Sequence, residues 1–106
     1  MTQIKIQSID LIDKEISLLF EKSWYQEDIP TLQQLLFSKI INYSIKEKTV
    51  GADRENIRFL WLDHAEFTLN FDYYSQSCWF SPQDEISSKQ VQALYDLLIN
   101  NTATKS

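Results

Sequence analysis

The stretch Ile57–Phe80, IRFLWLDHAEFTLNFDYYSQSCWF, decides the fold. Ile57–Leu62, Glu66–Asp72 and Ser77–Phe80 are rich in aromatic and branched side chains, and short polar turns separate them, which predicts a β-meander. A three-residue loop of Asp63, His64 and Ala65 pairs Trp61 with Phe67, Phe59 with Leu69 and Ile57 with Phe71. Six large apolar side chains then share one face. A two-residue loop would set Phe67 and Leu69 beside Leu60 and Arg58 and bury less. Asp and His also tolerate the positive φ that such loops require. The register of the second turn, Tyr73–Gln76, stays open, so either Trp79 or Phe80 joins the second face.

Downstream, Ser87 and Gln90 resemble a cap pair. Val91, Leu94, Tyr95 and Leu98 follow at i, i+3, i+4 and i+7, which predicts a helix. Pro82, Asp84 and Glu85 form the connecting turn, and 101–106 reads as a polar tail. Upstream, Lys46–Glu55 holds the only glycine and reads as a loop. Pro30 and Thr31 open a helix beginning near Leu32, with Leu35, Leu36, Phe37, Ile40, Ile41 and Tyr43 on more than one face, although Phe37–Ile45 also alternates in part like a strand. From Asp10 to Trp24 the residues Ile12, Ile16, Leu19, Phe20 and Trp24 fall on one helical stripe, with Asp10 as N-cap. Gln3–Ser8 alternates like a short strand. The expected domain is residues 1–100, a two-layer α+β fold. A three-stranded antiparallel meander plus a short N-terminal strand packs on two or three helices, in the order β-α-α-β-β-β-α.

Composition narrows the function. The chain has 106 residues, 43% hydrophobic and 24% charged, with one glycine and two prolines. A glycine-rich phosphate loop and Pro-rich or Gly/Ser-rich disorder are therefore excluded. The longest apolar run, Phe59–Leu62, is too short for a signal-peptide core or a membrane span. Cys78 is the only cysteine, which suits a reducing compartment, and a cytoplasmic bacterial protein is expected. Net charge is −5. Lys39, Lys46, Lys48, Arg54 and Arg58 form a basic stretch diluted by Glu47, Asp53 and Glu55, so nucleic-acid binding is not expected. A basic protein partner suits the field better.

No catalytic set stands out. His64, the sole histidine, lies between Asp63 and Glu66 and could act as a general base, but a hairpin tip offers no water-excluding cleft. A Cys78–His64 dyad is opposed by geometry: Cys78 near Phe71 lies ~20 Å along the strand from His64. One His and one Cys make a zinc site improbable, and no metal or cofactor is expected. Glu66 and Asp72 share a face but stand ~20 Å apart, too far for a paired acid and base. The second sheet face is more informative. Besides Arg58, Glu66, Thr68 and Asn70 it takes Leu60 and Leu62. Either the N-terminal segment or the second helix covers it, or it meets a protein partner or a second copy. Tyr73, Tyr74 and Trp79 add aromatic area of the kind found in interface hot spots.

The segments Leu62–Phe67 and Ser77–Phe80 resemble the small, roughly hundred-residue families of unknown function common in gammaproteobacteria. That resemblance implies no activity and no functional residues. The leading expectation is a non-enzymatic interaction domain using the aromatic, acidic meander. An acidic immunity- or antitoxin-like inhibitor of a basic enzyme is an alternative, and a small ligand-binding domain or enzyme around Asp63, His64 and Glu66 is another.

Overall fold

A computed structural model describes residues 4–102. Its elements are β1 (Ile6–Ile12), β2 (Glu15–Phe20), a single 3-10 turn (Gln26–Asp28), α1 (Ile29–Phe37), β3 (Tyr43–Val50), β4 (Arg54–Trp61), β5 (Ala65–Asp72), β6 (Ser77–Pro82), α2 (Glu85–Ser88) and α3 (Val91–Thr102). The strands form one six-stranded antiparallel sheet in the order β1-β2-β6-β5-β4-β3. The expected three-stranded meander with order β-α-α-β-β-β-α is thereby corrected. Gln3 and residues 103–106 of the expected tail lie outside the described residues, and Asn101 and Thr102 belong to α3.

The largest correction is Asp10–Trp24, which is no helix. It contains the last three residues of β1 and all of β2, joined at Asp13 and Lys14, both with positive φ (49° and 67°). A two-residue hairpin turn requires that conformation, and Asp and Lys adopt it here without the glycine that usually signals it. Strand alternation then sorts the side chains differently from a helical stripe. Ile9, Ile16 and Leu18 enter the core, while the stripe residues Ile12 and Leu19 are 56% and 49% exposed.

The second correction is Lys46–Glu55. Most of this segment is the end of β3 and the start of β4, and Gly51 N–H closes the short turn on Arg54 O at 2.7 Å. β3 is exposed along its whole length, so no buried face imposes an alternation for the sequence to show.

The meander is present, with Phe59 opposite Phe67, Ile57 opposite Leu69 and Phe71 opposite Cys78. The first turn is Leu62, Asp63 and His64 rather than Asp63, His64 and Ala65, which slides the β4–β5 register by two residues from the expected one. Because the side-chain period is two, every residue keeps its expected face. The second turn resolves so that Phe80 is buried and Trp79 lies on the second face.

All helical packing is on one face. α1 starts three residues earlier than expected, with Pro30 in its first turn where the missing N–H costs nothing, and it ends at Phe37, leaving Tyr43 to β3. Its Ile29, Leu32, Leu36 and Phe37 are buried, and Phe37 meets Phe59 edge-on at 5.1 Å. α3 buries Val91, Leu94 and Leu98 on the expected spacing and packs beneath β1 and β2. Ser87 is not the cap of α3. It lies in α2, where its N–H donates to Asp84 Oδ1 (2.8 Å) and its hydroxyl accepts Glu66 N–H (2.7 Å), pinning α2 to the start of β5.

Candidate functional site

Among the described residues, one face of the sheet carries no helix. One cross-strand row on it runs Asp10, Ser17, Trp79, Asn70, Asn56, Thr49 through all six strands. Trp79 is the only apolar member. The apolar residues of this face, Ile12, Leu19, Leu60 and Trp79, are all outside the buried core, so neither the N-terminal strand nor α1 covers it.

Trp79 is held from beneath by an amide network. Asn70 is buried although it faces away from the helices, and its Oδ1 accepts from Asn56 Nδ2 at 2.7 Å. Its own Nδ2 lies 3.1–3.2 Å from Thr68 O, Trp79 O and Ser81 Oγ. These contacts tie β4, β5 and β6 together under the row and hold the β6 backbone that carries the indole. Beside Trp79 runs a shallow groove of about 330 Å³, whose walls include Ile12, Asp13, Glu15, Ser17, Ser77 and Trp79. The groove thus offers an aromatic wall, hydroxyls and two carboxylates. Among the described residues no aromatic ring stacks on Trp79 and no base pairs with Asp13 or Glu15.

The other sequence-selected residues lie elsewhere. Tyr73 and Tyr74 sit at the β5–β6 turn, where Tyr73 meets Tyr25 at 6.2 Å, Tyr74 at 6.3 Å and buried Trp24 at 6.4 Å. That end cluster is separate from Trp79. Leu60 is on the helix-free face opposite Ser44 and Glu66, toward the far end of β4. Leu62 is not on that face. It occupies the β4–β5 turn with φ 57° and packs against the core.

His64 is exposed at the hairpin tip, with Nδ1 2.8 Å from Leu62 O. Asp63 is exposed beside it, and Glu66 turns away to pair with Arg58. A depression of about 330 Å³ near the tip is lined by Asn42, Tyr43, Ser44, Leu62 and Asp63, without His64. Cys78 is buried opposite Phe71, and burial pushes its thiol pKa up, so the group stays protonated. β5 lies between it and His64. Among the described residues no three His, Cys, Asp or Glu side chains gather as a metal set.

The basic stretch is largely neutralised. Arg58 bridges Glu47 and Glu66, which hold its guanidinium firmly protonated, Arg54 meets Asp72 at 3.4 Å, and Lys48 meets Glu55 at 3.8 Å. Sequence reading missed the groove residues Asp13, Glu15 and Ser17 because it placed them on a helix. Tyr25 went unnoticed because only the third dimension brings it to Tyr73.

The family profile described as Protein of unknown function (DUF3630) matches residues 6–98, nearly the whole described region. The chain belongs to the DUF3630 family. The match begins at β1 and ends within α3, so the complete six-stranded sheet, α1 and most of α3 are part of the DUF3630 unit. No curated protein and no solved structure matches the chain. No helix is long and apolar enough to cross a membrane among the described residues.

Proposed function

We propose that this DUF3630 domain is a non-enzymatic binding module that engages a protein partner through the helix-free face of its sheet, with Trp79 as the anchor. The observation that carries the reading is the position of Trp79, mid-strand in an otherwise polar row, beside an open groove and without an aromatic partner. A large, rigid, partly exposed indole is the side chain that gains most from desolvation at an interface.

The groove also selects the partner's charge. Asp13 and Glu15 line it and Asp10 ends the Trp79 row, so a segment carrying Lys or Arg fits, with a cation over the indole face. Inhibition of a basic enzyme is the specific form of this reading. Nucleic acid fits poorly, because Arg54, Arg58 and Lys48 are already paired with carboxylates. The unpaired thiol of Cys78 favours a reducing, cytoplasmic setting. Exposure of His64 at a hairpin tip argues against a catalytic site there.

The test is site-specific photo-crosslinking in cell extract from two positions: Leu19 on the helix-free face, and Asp96 on the exposed side of α3. A discrete basic protein captured from Leu19 only, and lost in Trp79→Ala with the melting curve retained, supports the reading. Capture of the same protein from Asp96, or undiminished capture by Trp79→Ala, contradicts it.

A further inference from the structure

β3 is the outermost strand on one side of the sheet, and all eight of its residues are exposed. Exposed apolar side chains gather there: Tyr43 at 40%, Ile45 at 50% and Val50 at 68%. Beside them α1 and β3 enclose a groove of about 370 Å³, lined in part by Pro30, Phe37, Tyr43 and Ile45. A long edge with free N–H and C=O groups and an apolar flank is a template for another strand.

The occupant follows from the pleat. A bulge at Lys46, between Ile45 and Glu47, shifts the β3–β4 register by one residue. Tyr43 and Ile45 therefore share the helix-side face with Lys48 and Val50, while Ser44, Glu47 and Thr49 share the other. Read backwards from Val50, the same order of faces returns. An unbulged strand of this length would present opposite faces when laid antiparallel over its own copy in full overlap. The bulge removes that conflict at the centre of β3.

We infer that β3 pairs antiparallel with β3 of a second copy, about a two-fold axis perpendicular to the sheet that passes between Lys46 and Glu47. Tyr43 then faces Val50 of the second copy, Ser44 faces Thr49, Ile45 faces Lys48 and Lys46 faces Glu47. Tyr43 with Val50 is apolar, Ser44 with Thr49 is polar, Lys46 with Glu47 is oppositely charged, Ile45 meets only the aliphatic stem of Lys48, and no like charges oppose. The two sheets join into one continuous sheet, with all helices on one side and both Trp79 faces on the other. The interface is isologous and closed, so it stops at two copies. It does not depend on the reading of Trp79.

Light scattering across a concentration series tests this on the 12.5 kDa chain. The expected mass is that of two chains. Ile45→Lys sets an ammonium opposite Lys48 of the second copy and gives one chain. Lys46→Glu alone and Glu47→Lys alone each place like charges together and also give one chain, and their equimolar mixture returns to two. All three positions are solvent-exposed, and an unchanged melting curve confirms that each variant folds. A wild-type chain that keeps the mass of one copy at every concentration overturns the inference. So does a dimer that survives Ile45→Lys, or a mixture of the charge variants that stays monomeric.

Discussion

The side-chain amide of Gln76 closes on the backbone of Trp24: Trp24 N–H donates to Gln76 Oε1 and Gln76 Nε2 donates to Trp24 O, both at 2.9 Å. Gln76 Nε2 also reaches Tyr73 O at 3.0 Å. A side chain from the β5–β6 turn thus supplies a rung where β2 has ended, and it fixes Trp24 against Phe71, ring centroids 5.7 Å apart. Gln76→Ala should cost about 2–3 kcal/mol in urea unfolding, at roughly 1 kcal/mol for each bond lost. Gln76→Glu should cost more, since a carboxylate replaces the donor and faces two carbonyls. An unchanged midpoint in both variants would show that the clamp contributes nothing.

Asn70 supplies the matching test for the helix-free face. Asn70→Ala removes the acceptor of Asn56 Nδ2 and should destabilise the fold by about 1–3 kcal/mol, the usual cost of a half-buried group left unpaired. Exchanging both partners, Asn56→Ala with Asn70→Ala, should cost less than the sum of the single changes. Strict additivity in that double-mutant cycle would contradict a shared network.

The legible part of this fold is the part whose burial is one-sided. In β4 and β5 the apolar residues Ile57, Phe59, Phe67 and Leu69 alternate with polar ones, so strand, face and core could all be read from spacing. The turn between them was set one residue too late, which slides the pairing by two. Leu62 adopts a positive φ that branched apolar side chains seldom take, so Asp63 looked like the better start. The β1–β2 hairpin was lost for a related reason. Asp13 and Lys14 make a turn without glycine or asparagine, and Ile12, Ile16 and Leu19 happen to repeat at helical spacing. β3 carried no readable pattern, because a strand exposed on both faces and bulged at Lys46 imposes none. Trp79 was singled out from sequence, while the groove beside it depended on the hairpin and was not.

Asp84 gives the fold an acid dependence. Hydrogen bonds from the backbone N–H and then the hydroxyl of Ser87 hold its carboxyl below the usual range. With the folded pKa below the unfolded one, the stabilisation is complete above the unfolded value of about 3.9, and it is lost as pH falls through the lower folded value. Asp84→Ala should therefore melt below the wild type at neutral pH, and the gap should close in acid. A gap that persists after the carboxyl is protonated would place the effect elsewhere.

Cys78 should be unreactive in the native state. Its thiol is buried opposite Phe71 and held protonated, so a thiol reagent must wait for the sheet to open. Labelling by a disulfide-exchange dye is expected to be fast in denaturant and, in buffer, no faster than unfolding. Rapid stoichiometric labelling of the folded chain would contradict the placement of β6.

Among the described residues one face of the sheet is free and Trp79 stands on it, whereas Trp24 and Trp61 are buried. The most direct measurement is ¹⁹F NMR of the chain carrying 5-fluorotryptophan, with a neutral soluble gadolinium chelate and Trp79→Phe to assign the signal. One resonance, absent in Trp79→Phe, is expected to broaden strongly while the other two are spared, and to shift when the captured partner is added. A Trp79 signal as protected as those of Trp24 and Trp61 would contradict it, because the face would then be covered.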